Sequence, residues 1–239
     1  LIPSDPFALD VTTVDWENSD GEPFEIDLVN VAHLRGDNVT TIAIPRAEDS
    51  ADALATSMQS ASLIAGGSAI ARRPGTRDIY VGGRLSREIA VFFPYLAPDS
   101  ASLQALIRRG TIQLGNVGES VDTRGLAFDA AGETLYVVTR VPDALHIVDL
   151  GPRDAETGAG SLDQVVASIP VARNPSGVFP HEGADGATLL YVPSFDEEII
   201  QVVDPTTRAV IDRDAPGFAG ATSSIHRRGA PELWRMRIS

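Results

Sequence analysis

The amino-acid sequence predicts an all-β protein, a β-propeller of four-stranded antiparallel blades with about four and a half blades present. Three observations carry that expectation. One phrase returns four times, its hydrophobic alternation has a period of two, and Gly, Pro, Asp and Asn punctuate its ends. The phrase reads Leu28-Val29-Asn30-Val31-Ala32-His33, then Ile79-Tyr80-Val81-Gly82-Gly83-Arg84, then Leu135-Tyr136-Val137-Val138-Thr139-Arg140, then Leu190-Tyr191-Val192-Pro193-Ser194-Phe195. Its second places lie 51, 56 and 55 residues apart. A repeat of that length is one supersecondary unit stacked against copies of itself.

The elements follow in chain order within a single domain over residues 1–239. Blade 1 spans about 5–60 and keeps only the shape of the phrase. Blade 2, about 66–116, opens on a short strand near residue 67, continues through Tyr80, and closes on a strand over 107–114. Blade 3, about 122–170, shows the plainest pattern: Arg124-Gly125-Leu126-Ala127-Phe128, the tyrosine strand, then Ala144 to Asp149, then a strand over 164–169. These segments are rich in β-branched and aromatic residues, as strands require. Blade 4 covers about 174–214. Residues 218–239 look like the first two strands of a fifth unit, with Trp234 in the tyrosine place. An open propeller exposes sheet edges, so the expectation is a fragment completed by the rest of its own polypeptide or by a protein partner.

The run from Arg124 through Leu135-Tyr136-Val137 to Ile147-Val148-Asp149 resembles the YVTN-type β-propeller repeat of bacterial surface and periplasmic proteins. Blade 4 matches it through Asn174-Pro175-Ser176-Gly177, Leu190-Tyr191-Val192 and Val202-Val203-Asp204, while blade 2 departs from it with Phe92-Phe93 where Val-Asp is the pattern. The resemblance covers residues 5–239 and implies an exported bacterial protein, periplasmic or extracellular and associated with the cell envelope. Relatives of this kind usually close with seven blades.

Composition excludes several chemistries. The chain carries 19 basic residues, all Arg, against 33 acidic ones, a net charge of −14. That balance argues against nucleic acid as a partner, because phosphate binding needs clustered cations. No apolar run reaches the roughly 20 residues that span a bilayer as a helix. The first residue is Leu1, with no basic-then-apolar leader after it, which suggests a mature or trimmed product. The absence of Lys removes Schiff-base chemistry, and the absence of Cys removes disulfides, thiolate metal sites and a thiol nucleophile. No nucleophile elbow, P-loop or dinucleotide fingerprint occurs.

Strand parity sorts the loops onto two faces. Long acidic insertions over 15–22, 46–52, 98–104 and 151–158 fall on one face. The other carries short loops, with His33, Arg84, Arg140 and Phe195 at equivalent places after the second strand, and Ser68, Arg124 and Ser176 at strand entries. Equivalent places on successive blades converge on the channel mouth, which makes this face the binding candidate. The binding residues expected there are His33, Arg84, Arg124, Arg140 and Phe195, whose cations suit an anion or carboxylate. Solvated strand ends explain the same residues.

No catalytic residues are assigned. The four histidines, His33, His146, His181 and His226, show no metal-ligand spacing. No cofactor is predicted, and calcium is the one left open: Asn18, Asp20, Gly21, Glu22 and Glu25 resemble an acidic calcium loop, but Trp16 stands where the first ligand belongs. The sequence thus favours a non-enzymatic scaffold or protein-interaction module. The alternatives are a propeller subunit of a periplasmic oxidoreductase or lactonase-like hydrolase, and a calcium-dependent adhesive protein.

Overall fold

A computed structural model describes residues 5–17, 23–35, 38–46, 57–62, 66–97, 102–116, 118–152, 163–183 and 186–211. These residues form sixteen strands in four antiparallel sheets of four. The first sheet is β1 (Pro6–Glu17), β2 (Pro23–His33), β3 (Asn38–Arg46) and β4 (Ser57–Ser62). The second is β5 (Gly67–Arg72), β6 (Ile79–Gly83), β7 (Glu88–Leu96) and β8 (Leu103–Gln113). The third is β9 (Thr123–Phe128), β10 (Thr134–Arg140), β11 (Asp143–Asp149) and β12 (Gln164–Pro170), and the fourth is β13 (Phe179–Glu182), β14 (Thr188–Ser194), β15 (Ile199–Asp204) and β16 (Ala209–Ile211). Each sheet is a meander in which sequence neighbours pair. They are the four blades that the repeat predicts. The segment expected to begin a fifth blade lies outside the described residues, as do most of the long acidic insertions.

The cores sit between the sheets. Ala32 and Val39 of the first blade pack against Ile79, Val81, Ala90 and Phe92 of the second. Tyr80, Ile89 and Val91 then pack against Leu135, Val137 and Val148 of the third. Tyr136, Val138 and Leu145 pack in turn against Leu190, Val192 and Val203 of the fourth. Strand alternation produces this stack, because odd and even residues of one strand face opposite neighbours. Tyr80 and Tyr136 therefore serve as packing residues. Tyr80 is fully buried and meets Phe128 edge to face at 5.1 Å; each such buried side chain contributes about 1.5–3 kcal/mol. Near the axis the inner strands nearly touch. A Cβ on Gly125 would lie 2.8 Å from the Cα of Gly177, so only glycine allows this approach of blades 3 and 4.

The strand pairing shifts the repeat by one residue in blade 1. A bulge in β1, β5 and β9 lies opposite His33, Gly83 and Thr139, which are therefore equivalent. Counting back from them, the tyrosine place of blade 1 is Asn30, not Val29. Asn30 is fully buried and satisfied there, donating to Asp10 Oδ2 at 3.2 Å and accepting from Thr41 Oγ1 at 2.8 Å. Val29 matches Ile79, Leu135 and Leu190 instead. Those three are completely covered by the preceding blade. On blade 1 the same side of the sheet leaves Leu9 63% and Val11 57% exposed.

Candidate functional site

One backbone device recurs at the short-looped face of every blade. Asp5, Gly66, Asp122 and Asn174 all adopt left-handed backbone, with φ of 60°, 74°, 48° and 54°. Gly, Asp and Asn are the residues that tolerate this region. The carbonyl of each accepts a hydrogen bond from a residue at or just after the end of the second strand: Leu34 N at 3.0 Å, Arg84 N at 2.8 Å, Arg140 N at 3.1 Å and Phe195 N at 3.0 Å. Two positions further along the first strand comes the bulge, which holds Phe7, Ser68 and Arg124 in the first three blades. In blade 4 a lone bridge from Pro175 to Ser194 puts Ser176 in that place. A bulge re-aims the side chain that it carries. The fold thus repeats two side-chain positions per blade at one end of the molecule.

Blade 3 fills both positions with cations, Arg124 and Arg140, and blade 2 fills one, with Arg84. Arg124 donates from Nη2 to Asp122 Oδ2 at 3.0 Å, and Arg140 places Nε 3.0 Å from the same oxygen. Arg84 stacks its guanidinium over the Phe7 ring, 4.9 Å from the centroid. Burial pushes the Arg124 guanidinium below the usual arginine range; Asp122 opposes that shift, while Arg84 and Arg140 add to it by repulsion. Arg124 and Arg140 share one carboxylate and Arg84 adds a third cation within electrostatic reach of Arg124, which leaves a surplus of positive charge in a protein that is acidic as a whole. Asp122 is only 7% exposed, and its Oδ1 is buried without a hydrogen-bond partner. Nε of Arg84 and Nε of Arg124 are in the same condition. Buried polar atoms without partners are uncommon and call for an explanation such as a bound ligand.

The five residues expected to bind are divided by the structure. Arg124 and Arg140 come together on Asp122, and Arg84 lies within electrostatic reach of Arg124. Phe195 stands on the same face, 75% exposed, at the tip of blade 4. His33 is set apart: it is fully buried one residue before the loop position, with Nε2 3.0 Å from Thr40 Oγ1, and Leu34 takes the place equivalent to Arg84. Ser68 is turned inward and donates to the Thr123 carbonyl at 2.7 Å, linking blade 2 to blade 3.

Sequence reasoning missed Asp122 and Asn174. Their signal was present, since an Asp, Asn or Gly precedes the first strand of all four blades. Asn174 connects the arginines to an acidic tip: Arg140 Nη1 donates to its Oδ1 at 3.4 Å, and its Nδ2 donates to Asp196 Oδ1 at 2.9 Å. Asp196, Glu197 and Glu198 line a shallow recess there with Arg173 and Ile199.

No group of three His, Asp or Glu side chains suited to a metal ion occurs among the described residues. Asn18, Asp20, Gly21 and Glu22 of the calcium expectation, and His226, lie outside them. His181 packs edge to face on Tyr191 at 6.1 Å. His146 is buried in blade 3, where Thr139 Oγ1 donates to the Pro142 carbonyl at 2.8 Å and therefore accepts from Nε2 at 3.0 Å. Nδ1 then accepts from Ser168 Oγ at 2.8 Å. Burial lowers the His146 pKa to about 4, and the ring is a neutral packing group at pH 7. Among the described residues, no helix is long and apolar enough to cross a membrane.

No family model matches the chain, and no curated protein matches it. Solved structures do. A candidate 6-phosphogluconolactonase from Bacteroides uniformis superposes with a TM-score of 0.55 at 17% identity, over 87% of this chain and 54% of that one. A second, from Bacteroides fragilis, gives 0.53 at 16% identity over 86% and 54%. Hydrazine synthase of Kuenenia stuttgartiensis gives 0.50 at 17% identity over 83% and 47%. The chain spans about half the length of the structures it matches. At these identities the likeness is one of fold.

Proposed function

We propose that this chain is a binding module on a β-propeller scaffold, non-enzymatic, which holds an anionic group of a protein partner on its short-looped face. The observation that carries the reading is the convergence of Arg124 and Arg140 on the buried Asp122 with Arg84 within electrostatic reach of Arg124, polar atoms of that cluster being left unpartnered. Hydrogen bonds to charged groups contribute about 1.5–3 kcal/mol each, so a carboxylate bridging two of these guanidiniums is a fitting ligand. The YVTN-type resemblance supports an exported bacterial setting at the cell envelope. The exposed Leu9 and Val11 support a larger propeller in which a further sheet covers blade 1, since the matching side of every other blade is covered.

Calorimetric titration of the full chain with acetylated, amidated Gly-Glu-Gly at low ionic strength tests the reading. Saturable binding is expected, weakened roughly tenfold or more by Arg84→Gln with Arg140→Gln and reduced by salt. A parent protein that gives no binding overturns it. The structural likeness to candidate lactonases favours a second reading, a lactonase-like hydrolase. Hydrolysis of a phosphogluconolactone above its spontaneous rate, abolished by Arg124→Gln, replaces the first reading with the second.

A further inference from the structure

The arginine cluster has apolar company. Leu85 follows Arg84 directly and is 72% exposed; Val141 follows Arg140 and is 52% exposed; Phe7, beneath the Arg84 guanidinium, is 51% exposed. Large apolar side chains standing in water beside a partly desolvated charge are the layout of a recognition surface, with hydrophobic contacts near a polar anchor. Asp122 sits inside the cluster and accepts from two of its arginines, so it neutralises part of the field and works against a densely charged anion. The blade 4 side is lined by Asp196, Glu197 and Glu198. A ligand that extends negative charge in that direction meets repulsion.

We propose that the ligand of this face is a peptide segment of a partner protein carrying a single carboxylate between apolar side chains, with the carboxylate on Arg84, Arg124 and Arg140 and its neighbours against Phe7, Leu85 and Val141. This rests on the anion-binding reading above and narrows it. Burying a side chain of phenylalanine size adds about 1.5–3 kcal/mol. A tripeptide with apolar flanks therefore binds at least tenfold more tightly than one with polar flanks.

Calorimetry on the full chain with four acetylated, amidated peptides decides the matter: Phe-Glu-Phe, Ser-Glu-Ser, Phe-Gln-Phe and Glu-Glu-Glu. Phe-Glu-Phe is expected to bind most tightly, with Ser-Glu-Ser and Glu-Glu-Glu weaker by about tenfold or more and Phe-Gln-Phe weaker still. Leu85→Ser with Val141→Ser, both at exposed tips, is expected to lower Phe-Glu-Phe to the level of Ser-Glu-Ser and to leave Ser-Glu-Ser itself unchanged. If Ser-Glu-Ser or Glu-Glu-Glu matches Phe-Glu-Phe, the apolar-flanked peptide is overturned while the anion-binding module stands. If Phe-Gln-Phe matches Phe-Glu-Phe, or if no peptide binds, both fall.

Discussion

Blades 1 and 3 use the same two positions for a histidine and a threonine, but in opposite order. In blade 3 the threonine lies near the end of the second strand, as Thr139, and the histidine lies on the third, as His146. In blade 1 the histidine ends the second strand, as His33, and Thr40 lies on the third. Both pairs bond Nε2 to Oγ1 at 3.0 Å. The surroundings differ. His146 has a second partner in Ser168, whereas His33 Nδ1 is buried without one. Blade 3 is packed on both sides, against Tyr80 of blade 2 and Leu190 of blade 4. Blade 1 is packed on one side only among the described residues. A repeat therefore fixes the backbone device in each blade and leaves stability to depend on how many neighbours a blade has.

The most severe way to break this comparison is to open the doubly packed blade. Leu145 is fully buried in the core shared by blades 3 and 4. Leu145→Ala is expected to cost about 2–5 kcal/mol, read from the denaturant midpoint, because the cavity forms between two sheets that cannot both collapse into it. A loss under 1 kcal/mol would show that these sheets are loosely joined.

A smaller effect comes from pH. The pKa of His146 falls from 6.5 to about 4 on folding, through burial, so between these values the unfolded chain binds more protons than the folded one. Stability then rises with pH across that window, is lost as pH falls from 6.5 towards 4, and is independent of this group above 6.5. The loss is about 3 kcal/mol at its limit. His146→Gln, which can still bridge Thr139 and Ser168, is expected to flatten unfolding free energy against pH in that window. An unchanged profile would mean that other groups dominate acid sensitivity.

Much of the fold was legible because β6, β10 and β14 are short, mainly apolar runs and a tyrosine marks the same place in each. Blade 1 was harder to align. It has no tyrosine, and Asn30 stands there with its amide satisfied by Asp10 and Thr41, so apolarity pointed to Val29. In a two-residue period such a slip turns every side chain to the other side. That is why His33 was expected at the loop and is found buried. Arg84, Arg124 and Arg140 were legible as strand-end cations. Asp122 was legible only as one of the Asp, Asn or Gly residues that precede each first strand; its role depends on left-handed backbone and on a bulge that brings Arg124 back over it, and both are three-dimensional facts.

The gentlest test addresses the singly packed blade. Leu9 lies on the side of blade 1 that matches Ile79, Leu135 and Leu190, yet it is 63% exposed. Leu9→Ser removes little burial in this chain, and surface changes of that kind stay within about 0.5 kcal/mol. The unfolding midpoint is therefore expected to hold, in contrast to the loss from Leu145→Ala. If another sheet stacks on this side in a larger propeller, the same substitution there deletes a buried aliphatic side chain and costs about 2–5 kcal/mol. Measuring Leu9→Ser in this chain and in a longer polypeptide that contains it separates the two situations. Equal and negligible losses in both would show that blade 1 keeps its apolar side in water, and the larger-propeller reading would fail.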